Sequence, residues 1–153
     1  MTGAPNPPSV IDPEAFTVSR TIAIAASPER VWDAITQPEH IARWSSFTPS
    51  MDRIGVGGEG AWVLENYGST PITIEAIDPP RSITYRWGPD IADPTQSTVF
   101  TFSLVAEAEG TRLTVIESGF ENLLDGAAEL ESHREGWDSQ LDRLTSHFTV
   151  AIA

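Results

Sequence analysis

Two adjoining stretches of sequence decide the fold: TRLTVIESGF at residues 111–120 and DGAAELESHREGWDSQLDRLTSHFTV at residues 125–150. Alternation in the first stretch predicts a β-strand with Leu113, Val115 and Glu117 on one face. In the second, apolar residues recur every three or four positions around a gap at Arg134, which predicts a helix with one apolar stripe. The stripe consists of Ala127, Leu130, Trp137, Leu141, Leu144 and Phe148. A sheet that buries one face against one long helix favours a cavity between them.

The remaining sequence predicts one strand, two short helices and five further strands ahead of this pair. Ser27, Pro28 and Glu29 are typical of a helix start, and Pro38 begins a second helix. The predicted strands span residues 16–26, 51–56, 61–66, 70–77, 82–87, 97–106 and 112–118. Their connections are too short for crossovers, so we predict an α+β fold with a curved antiparallel sheet of about seven strands.

Composition excludes several kinds of chemistry. The 153-residue chain contains no cysteine, and all nine of its basic residues are arginine. Disulfides, thiolate catalysis, lysine Schiff bases and the P-loop lysine are therefore excluded. A formal net charge of −13 repels phosphates and anionic lipid, so we expect neither nucleic acid nor a membrane as a partner.

The first 15 residues are expected to form a flexible proline-rich tail, and residues 16–153 a single domain. This tail lacks the basic and apolar runs of a signal peptide. No apolar stretch approaches the roughly 20 residues of a membrane-spanning helix. We therefore expect a cytoplasmic protein.

One glycine-rich segment is better explained as a turn than as a nucleotide site. Residues 55–60, GVGGEG, match the glycine pattern of dinucleotide-binding proteins. That pattern needs a following helix N-terminus, whereas residues 61–64 continue as a strand. His133 and His147 lie about 20 Å apart along the predicted helix, and there is no cysteine. We therefore expect no metal site and no cofactor.

Aromatic residues are numerous enough to line a small-molecule pocket. Tyr85 and Trp87 share one face of a predicted strand, as do Phe100 and Phe102. The candidate ligand-binding residues are Trp44, Trp62, Tyr85, Trp87, Phe100, Phe102, Glu117, His133 and Trp137. Part of this set must instead pack the core, and strand parity does not separate the two roles.

Glu117 is a weak candidate for a catalytic residue. Parity places it on the cavity face, where burial would raise the pKa of its carboxyl group and suit it to act as an acid or base. Two other interpretations stay open: the carboxylate reaches solvent at the cavity mouth, or it pairs with an arginine. His133, one turn before Trp137, could face the same opening, although a solvated histidine at the helix edge is the simpler explanation.

Several short motifs occur in a set order along the chain. They are SPERVW at 27–32, RW at 43–44, GG at 57–58, PPRSITYRW at 79–87, GTRLTV at 110–115, GF at 119–120, and GW at 136–137 followed by Leu141 and Leu144. Together they resemble the START-like, helix-grip (SRPBCC) superfamily, and within it the group named after the activator of heat-shock protein 90 ATPase homologue. The resemblance covers nearly all of residues 17–150. It implies a helix-grip fold in which the sheet and the C-terminal helix enclose a cavity.

Three functions follow from the resemblance and the aromatic residues. Binding of a small hydrophobic ligand, aromatic or lipid-like, is favoured, because no nucleophile, metal site or phosphate loop is evident. A polyketide cyclase or aromatase is the alternative, with Glu117 as acid or base and Tyr85 or His133 as its hydrogen-bond partner. A chaperone ATPase regulator ranks last, because that role in the resembling proteins goes with a larger chain. A homodimer could form through the uncovered face of the sheet.

Overall fold

Eight strands, three α-helices and one short 3-10 helix (Phe120–Asn122) occur in the part of the chain that the computed structural model describes, residues 6–64 and 68–152, with side chains to residue 149. The strands are β1 (Val10–Asp12), β2 (Thr17–Ile24), β3 (Phe47–Met51), β4 (Glu59–Leu64), β5 (Gly68–Asp78), β6 (Ser82–Trp87), β7 (Thr98–Glu107) and β8 (Gly110–Ser118). The helices are α1 (Pro28–Thr36), α2 (Pro38–Trp44) and α3 (Gly126–Ile152). One antiparallel sheet has the order β1-β2-β8-β7-β6-β5-β4-β3. The predicted α+β, helix-grip architecture is confirmed.

Two strands differ from the sequence prediction. β1 lies within residues 1–15, which were expected to be a flexible tail, and it adds an eighth strand by pairing with β2. Residues 1–5 of that tail lie outside the described residues, as do residues 65 and 66 of the strand predicted at 61–66. β3 occupies Phe47–Met51 rather than residues 51–56, and it contains Pro49. Proline is tolerated here because β3 is an edge strand, where one side of the ladder needs no N–H donor.

The glycine-rich segment forms the connection between β3 and β4, as predicted. Gly57 has a φ of +83°, and a Cβ on Gly58 would lie 2.2 Å from the carbonyl oxygen of Arg53. Both positions therefore require glycine. The chain continues directly into β4, so this segment does not lead into the helix N-terminus that a pyrophosphate would need.

The core lies between the inner face of the sheet and the three helices. α1 begins as predicted, because the Ser27 hydroxyl accepts a hydrogen bond from the Arg30 N–H at 3.3 Å. Strands and helices contribute buried residues that include Val18, Ile22, Val31, Ile35, Ile72, Ile83, Leu113 and Val115. The predicted stripe of α3 is buried at Leu130, Trp137, Leu141, Leu144 and Phe148. Ala127 is the exception: it is exposed in the first turn of α3, ahead of the residues that pack on the sheet.

Arg20 ties the N-terminal segment to α3. Its buried guanidinium group, on β2, donates to the carbonyl oxygen of Pro7 at 2.8 Å. It also donates to the carbonyl oxygen of Asp138 at 3.0 Å and to the carboxylate of Asp142 at 2.7 Å. The backbone N–H of Ser9 donates to the Asp138 carboxylate at 2.7 Å. The segment before β2 is thus fastened to the middle of α3 and holds the helix over the sheet.

Candidate functional site

Two adjoining hollows lie between α3 and the sheet. The smaller has a volume of about 270 Å³ and the larger about 560 Å³. Four residues line both hollows: Phe47, Leu64, Trp87 and His133. The larger hollow extends to Leu124 and Asp125 at the start of α3. The hollows therefore form one groove that runs along α3.

Six of the predicted ligand-binding residues line the smaller hollow: Trp44, Trp62, Trp87, Phe102, His133 and Trp137. Tyr85 and Phe100 do not line either hollow and are fully buried in the core. The Tyr85 hydroxyl donates to the carbonyl oxygen of Ile35 at 2.9 Å. Tyr85 is therefore not the hydrogen-bond partner of Glu117 that the cyclase hypothesis allowed.

The aromatic wall of the smaller hollow is held by edge-to-face contacts. The rings of Trp87 and Phe100 have centroids 5.0 Å apart at an interplanar angle of 67°. Those of Phe100 and Trp137 lie 5.1 Å apart at 65°, and Trp62 packs on Trp87 at 5.9 Å and 77°. Such contacts are the favoured geometry for aromatic pairs. Phe100 thus supports the wall from behind instead of facing the hollow.

Glu117 lies beneath this wall with no exposed surface. Its Oε1 accepts hydrogen bonds from the Trp137 indole N–H at 2.8 Å and from His133 Nδ1 at 2.8 Å. Its Oε2 accepts from the Trp87 indole N–H at 3.0 Å and from the Thr98 hydroxyl at 2.5 Å. Side chains from β6, β7 and α3 therefore converge on one carboxylate of β8.

These donors reverse the pKa expected for Glu117. Burial of the carboxyl group acts to raise its pKa. The hydrogen bonds from His133, Thr98 and Trp87 act in the opposite direction, as does the positive charge of His133, and they outweigh burial. The pKa of Glu117 is therefore lowered. Burial acts to lower the pKa of His133, but Glu117 and Glu129 outweigh it, and that pKa is raised. The prediction of a raised Glu117 pKa was therefore wrong. The carboxylate reaches neither solvent nor an arginine; it forms an ion pair with His133.

Sequence reasoning missed several residues of the site, Thr98 and Phe47 among them. Thr98 could have been found by parity, because it shares a strand face with Phe100, which pairs with Glu117 in the sheet register. Phe47 gave no comparable signal, because it lies outside the predicted strand and close to Pro49. Both line the larger hollow, and Phe47 also lines the smaller.

The site holds a charged pair under an apolar surface. The acceptor positions of Glu117 are occupied by donors of the protein, which hold the carboxylate in place. His133 Nε2 lies 3.3 Å from the Glu129 carboxylate and remains at the surface of the groove. Within residues 6–64 and 68–152, no three histidine or acidic side chains are placed to hold a metal ion. In the same residues, no helix is long and apolar enough to cross a membrane.

An antiparallel sheet that grips a long C-terminal helix defines a helix-grip protein of the START-like (SRPBCC) class. The family described as Activator of Hsp90 ATPase homolog 1-like protein matches residues 25–149, and the chain belongs to this family. The sequence resemblance stated above is thereby confirmed. Among curated proteins, none matches the sequence.

Solved structures with the same fold come from several bacteria. Protein MLL2253 from Mesorhizobium loti is 27% identical, with a TM-score of 0.69 over 85% of this chain and 94% of that chain. CalU16 from Micromonospora echinospora is 24% identical, with a TM-score of 0.65 over 84% of this chain and 71% of that chain. The Aha1 dimer from Colwellia psychrerythraea, determined in solution, is 20% identical, with a TM-score of 0.70 over 86% and 95%.

Proposed function

We propose that the protein binds a small, largely apolar ligand, aromatic or lipid-like, in the groove between α3 and the sheet. The observation that supports this most directly is the pair of adjoining hollows that meet at Phe47, Leu64, Trp87 and His133. Their volumes, about 270 and 560 Å³, fall in or near the range of small-molecule sites. Aromatic walls with a few polar groups are the usual lining of such sites.

A cyclase that uses Glu117 as acid or base is less well supported. Glu117 is fully buried, and its carboxylate already accepts hydrogen bonds from four donor groups. A general base must instead come within hydrogen-bond reach of the substrate proton. The carboxylate also has a lowered pKa, which weakens it as a base. We therefore assign Glu117 a positioning role for Trp87, His133 and Trp137.

Three further predictions concern a homodimer, a chaperone ATPase partner and the location of the protein in the cell. A homodimer is compatible with the fold, because the Aha1 structure of similar length is a dimer. Regulation of a chaperone ATPase stays the least favoured hypothesis, and a cytoplasmic location stays a prediction.

Gly136 offers a direct test of the groove. It lines the smaller hollow, and a Cβ built on it would meet no atom within 4 Å. Gly136→Leu should therefore fill part of the hollow. The new side chain should not destabilise α3, because replacing a helical glycine by a good helix former gains up to about 1 kcal/mol.

The measurement is binding of N-phenyl-1-naphthylamine, a neutral apolar fluorophore, followed by its fluorescence and by the thermal stability of the protein. A ligand at one hundred times its Kd adds about 2.7 kcal/mol to stability. We expect Gly136→Leu to weaken binding by roughly tenfold or more, whereas Gly136→Ala, the matched control, keeps most of it. Undiminished binding by Gly136→Leu would place the ligand elsewhere. A lack of response to this probe and to a library of apolar metabolites would refute the proposal.

A further inference from the structure

We propose that His133 selects among apolar ligands by donating a hydrogen bond from Nε2 to an uncharged oxygen acceptor, such as the carbonyl group of an aromatic ketone. The inference rests on the proposed function, because it assigns a role to one residue of the same groove. His133 lines both hollows, so a ligand that spans them passes its imidazole ring.

The protein fixes the orientation of the imidazole ring. Nδ1 lies 2.8 Å from Glu117 Oε1, and an ionised carboxylate can only accept, so Nδ1 carries a hydrogen in both charge states of the ring. The ring also meets Trp87 and Phe120 edge to face, with centroids 6.1 and 5.1 Å apart. Nε2 is therefore the atom of His133 left to interact with a ligand.

The contact between His133 Nε2 and its partner in the protein, the Glu129 carboxylate, is weak. The Glu129 carboxylate lies 3.3 Å from Nε2, and its side chain is 47% exposed. This is longer than a strong charge-assisted hydrogen bond, and exposed ion pairs contribute little, so a ligand oxygen can replace it. Several other polar side chains that line the groove already have hydrogen-bond partners in the protein: Ser45, Thr95, Gln96, Ser97, Thr98 and Gln140.

Charge around the groove favours a neutral acceptor over an anion. The charged residues among its described lining are Asp125, Glu129 and His133. Glu117 on β8 already balances the charge of His133, so the carboxylates of Asp125 and Glu129, both on or next to α3, leave the groove with an excess of negative charge. The neighbours of His133 from β6 and from the turn before α3 are uncharged rings. A ligand carboxylate would therefore be repelled, and a carbonyl oxygen would not.

The hydrogen-bond preference should depend on pH. The imidazolium form donates from Nε2, but the neutral ring keeps its hydrogen on Nδ1 and presents a lone pair at Nε2. The preference for an acceptor is therefore lost as His133 deprotonates. Because the pKa of His133 is raised, the loss should occur above the ordinary value for histidine.

The test compares three naphthalenes of similar size: 2-acetylnaphthalene, which carries a neutral acceptor; 2-ethylnaphthalene, which carries none; and 2-naphthoate, which is anionic. Affinities for the full chain are measured by displacement of N-phenyl-1-naphthylamine from about pH 6 to about pH 10. At the lower pH the acetyl compound should bind about tenfold tighter than the ethyl compound, the equivalent of about 1.4 kcal/mol, and the naphthoate should bind most weakly. The acetyl advantage should vanish at the upper pH.

Two variants separate the role of His133 from simple packing. Glu129→Gln should keep the acetyl advantage but move its loss to lower pH, because Glu129 contributes to the raised pKa of His133. Glu135→Gln, an exposed position of the same helix outside the groove lining, should leave the pH profile unchanged. His133→Phe should remove the advantage altogether. If this variant does not fold, the shift in Glu129→Gln still tests the inference.

The outcomes distinguish the inference from the proposed function. Equal affinity for the acetyl and ethyl compounds in the wild type would refute the role of His133 and leave ligand binding intact. Tightest binding of 2-naphthoate would also refute it, since charge would then outweigh the acidic surroundings. Failure of all three compounds and of the fluorophore to bind would refute the proposed function and this inference together.

Discussion

Replacing Glu117 by glutamine should destabilise the protein far more than its near-identical shape suggests. The carboxylate accepts from Trp87, Thr98, His133 and Trp137. A glutamine oxygen can accept from two of these donors, while its NH₂ group faces the others. The Thr98 hydroxyl or a neutral His133 ring can turn to accept from that NH₂ group, but an indole N–H cannot, so one buried donor is left unsatisfied at a cost of about 1–3 kcal/mol. Loss of the charge-assisted hydrogen bond from His133 costs about as much again. We therefore expect the free energy of unfolding to fall by about 2–6 kcal/mol.

The pH dependence should reveal the same pair. The pKa of Glu117 lies below its ordinary value of 4.5, so its contribution to stability is complete above that pH and is lost as pH falls through the lowered pKa. The pKa of His133 lies above its ordinary value of 6.5, so its contribution is complete below that pH and is lost as pH rises through the raised pKa. The pair therefore stabilises the fold most between about pH 4.5 and 6.5.

Urea denaturation of wild type and Glu117→Gln at a series of pH values measures both effects. Glu109→Gln is the control, because Glu109 is exposed in the turn between β7 and β8, and the same chemical change there should cost less than about 0.5 kcal/mol. The difference between wild type and Glu117→Gln should be largest in the window given above. A loss no greater than that of the control, at every pH, would show that the buried carboxylate does not organise the site.

Two further predictions concern stability away from the groove. Arg20→Leu should lower the free energy of unfolding by about 2–3 kcal/mol in urea denaturation, because it removes a buried guanidinium group and leaves the Pro7 carbonyl oxygen without its donor. The control Arg81→Leu, at an exposed position, should lower it by less than about 1 kcal/mol. Equal losses in the two variants would contradict the role of the buried arginine. Ser27→Ala should lower the free energy of unfolding by about 1 kcal/mol, seen as a lower Tm, because it removes the N-cap of α1. Ser27→Asp, which can still cap the helix, should retain most of the stability. An unchanged Tm in Ser27→Ala would show that Pro28 alone sets the helix start.

Periodicity was sufficient to predict the elements that bury one face. The stripe of α3 and the alternation of β6, β7 and β8 follow directly from packing against a common core, so the sequence carries their pattern. β1 and β3 lie at the edges of the sheet, where pairing depends on a neighbour and not on a buried face. Neither the three residues of β1 nor a strand with Pro49 in its middle has a pattern that predicts pairing.

The sequence was sufficient to predict several residues of the site, but not the charge state of Glu117. Parity placed Glu117 on the inner face, and helical spacing placed His133 beside Trp137. The sign of the Glu117 pKa depended on donors from three other elements, and only the folded geometry brings these together. A single strand therefore indicates where a carboxylate points, while its charge state is decided by distant parts of the chain.

The position of α3 in the chain has a consequence for biosynthesis. During translation the aromatic face of the sheet is made before the helix that covers it, because α3 follows all eight strands. Until α3 docks, Trp62, Trp87 and Phe102 face water on a surface that can associate with other nascent chains. A ribosome-bound chain that ends before Gly126 should therefore recruit holdase chaperones, and release of the helix should end that association.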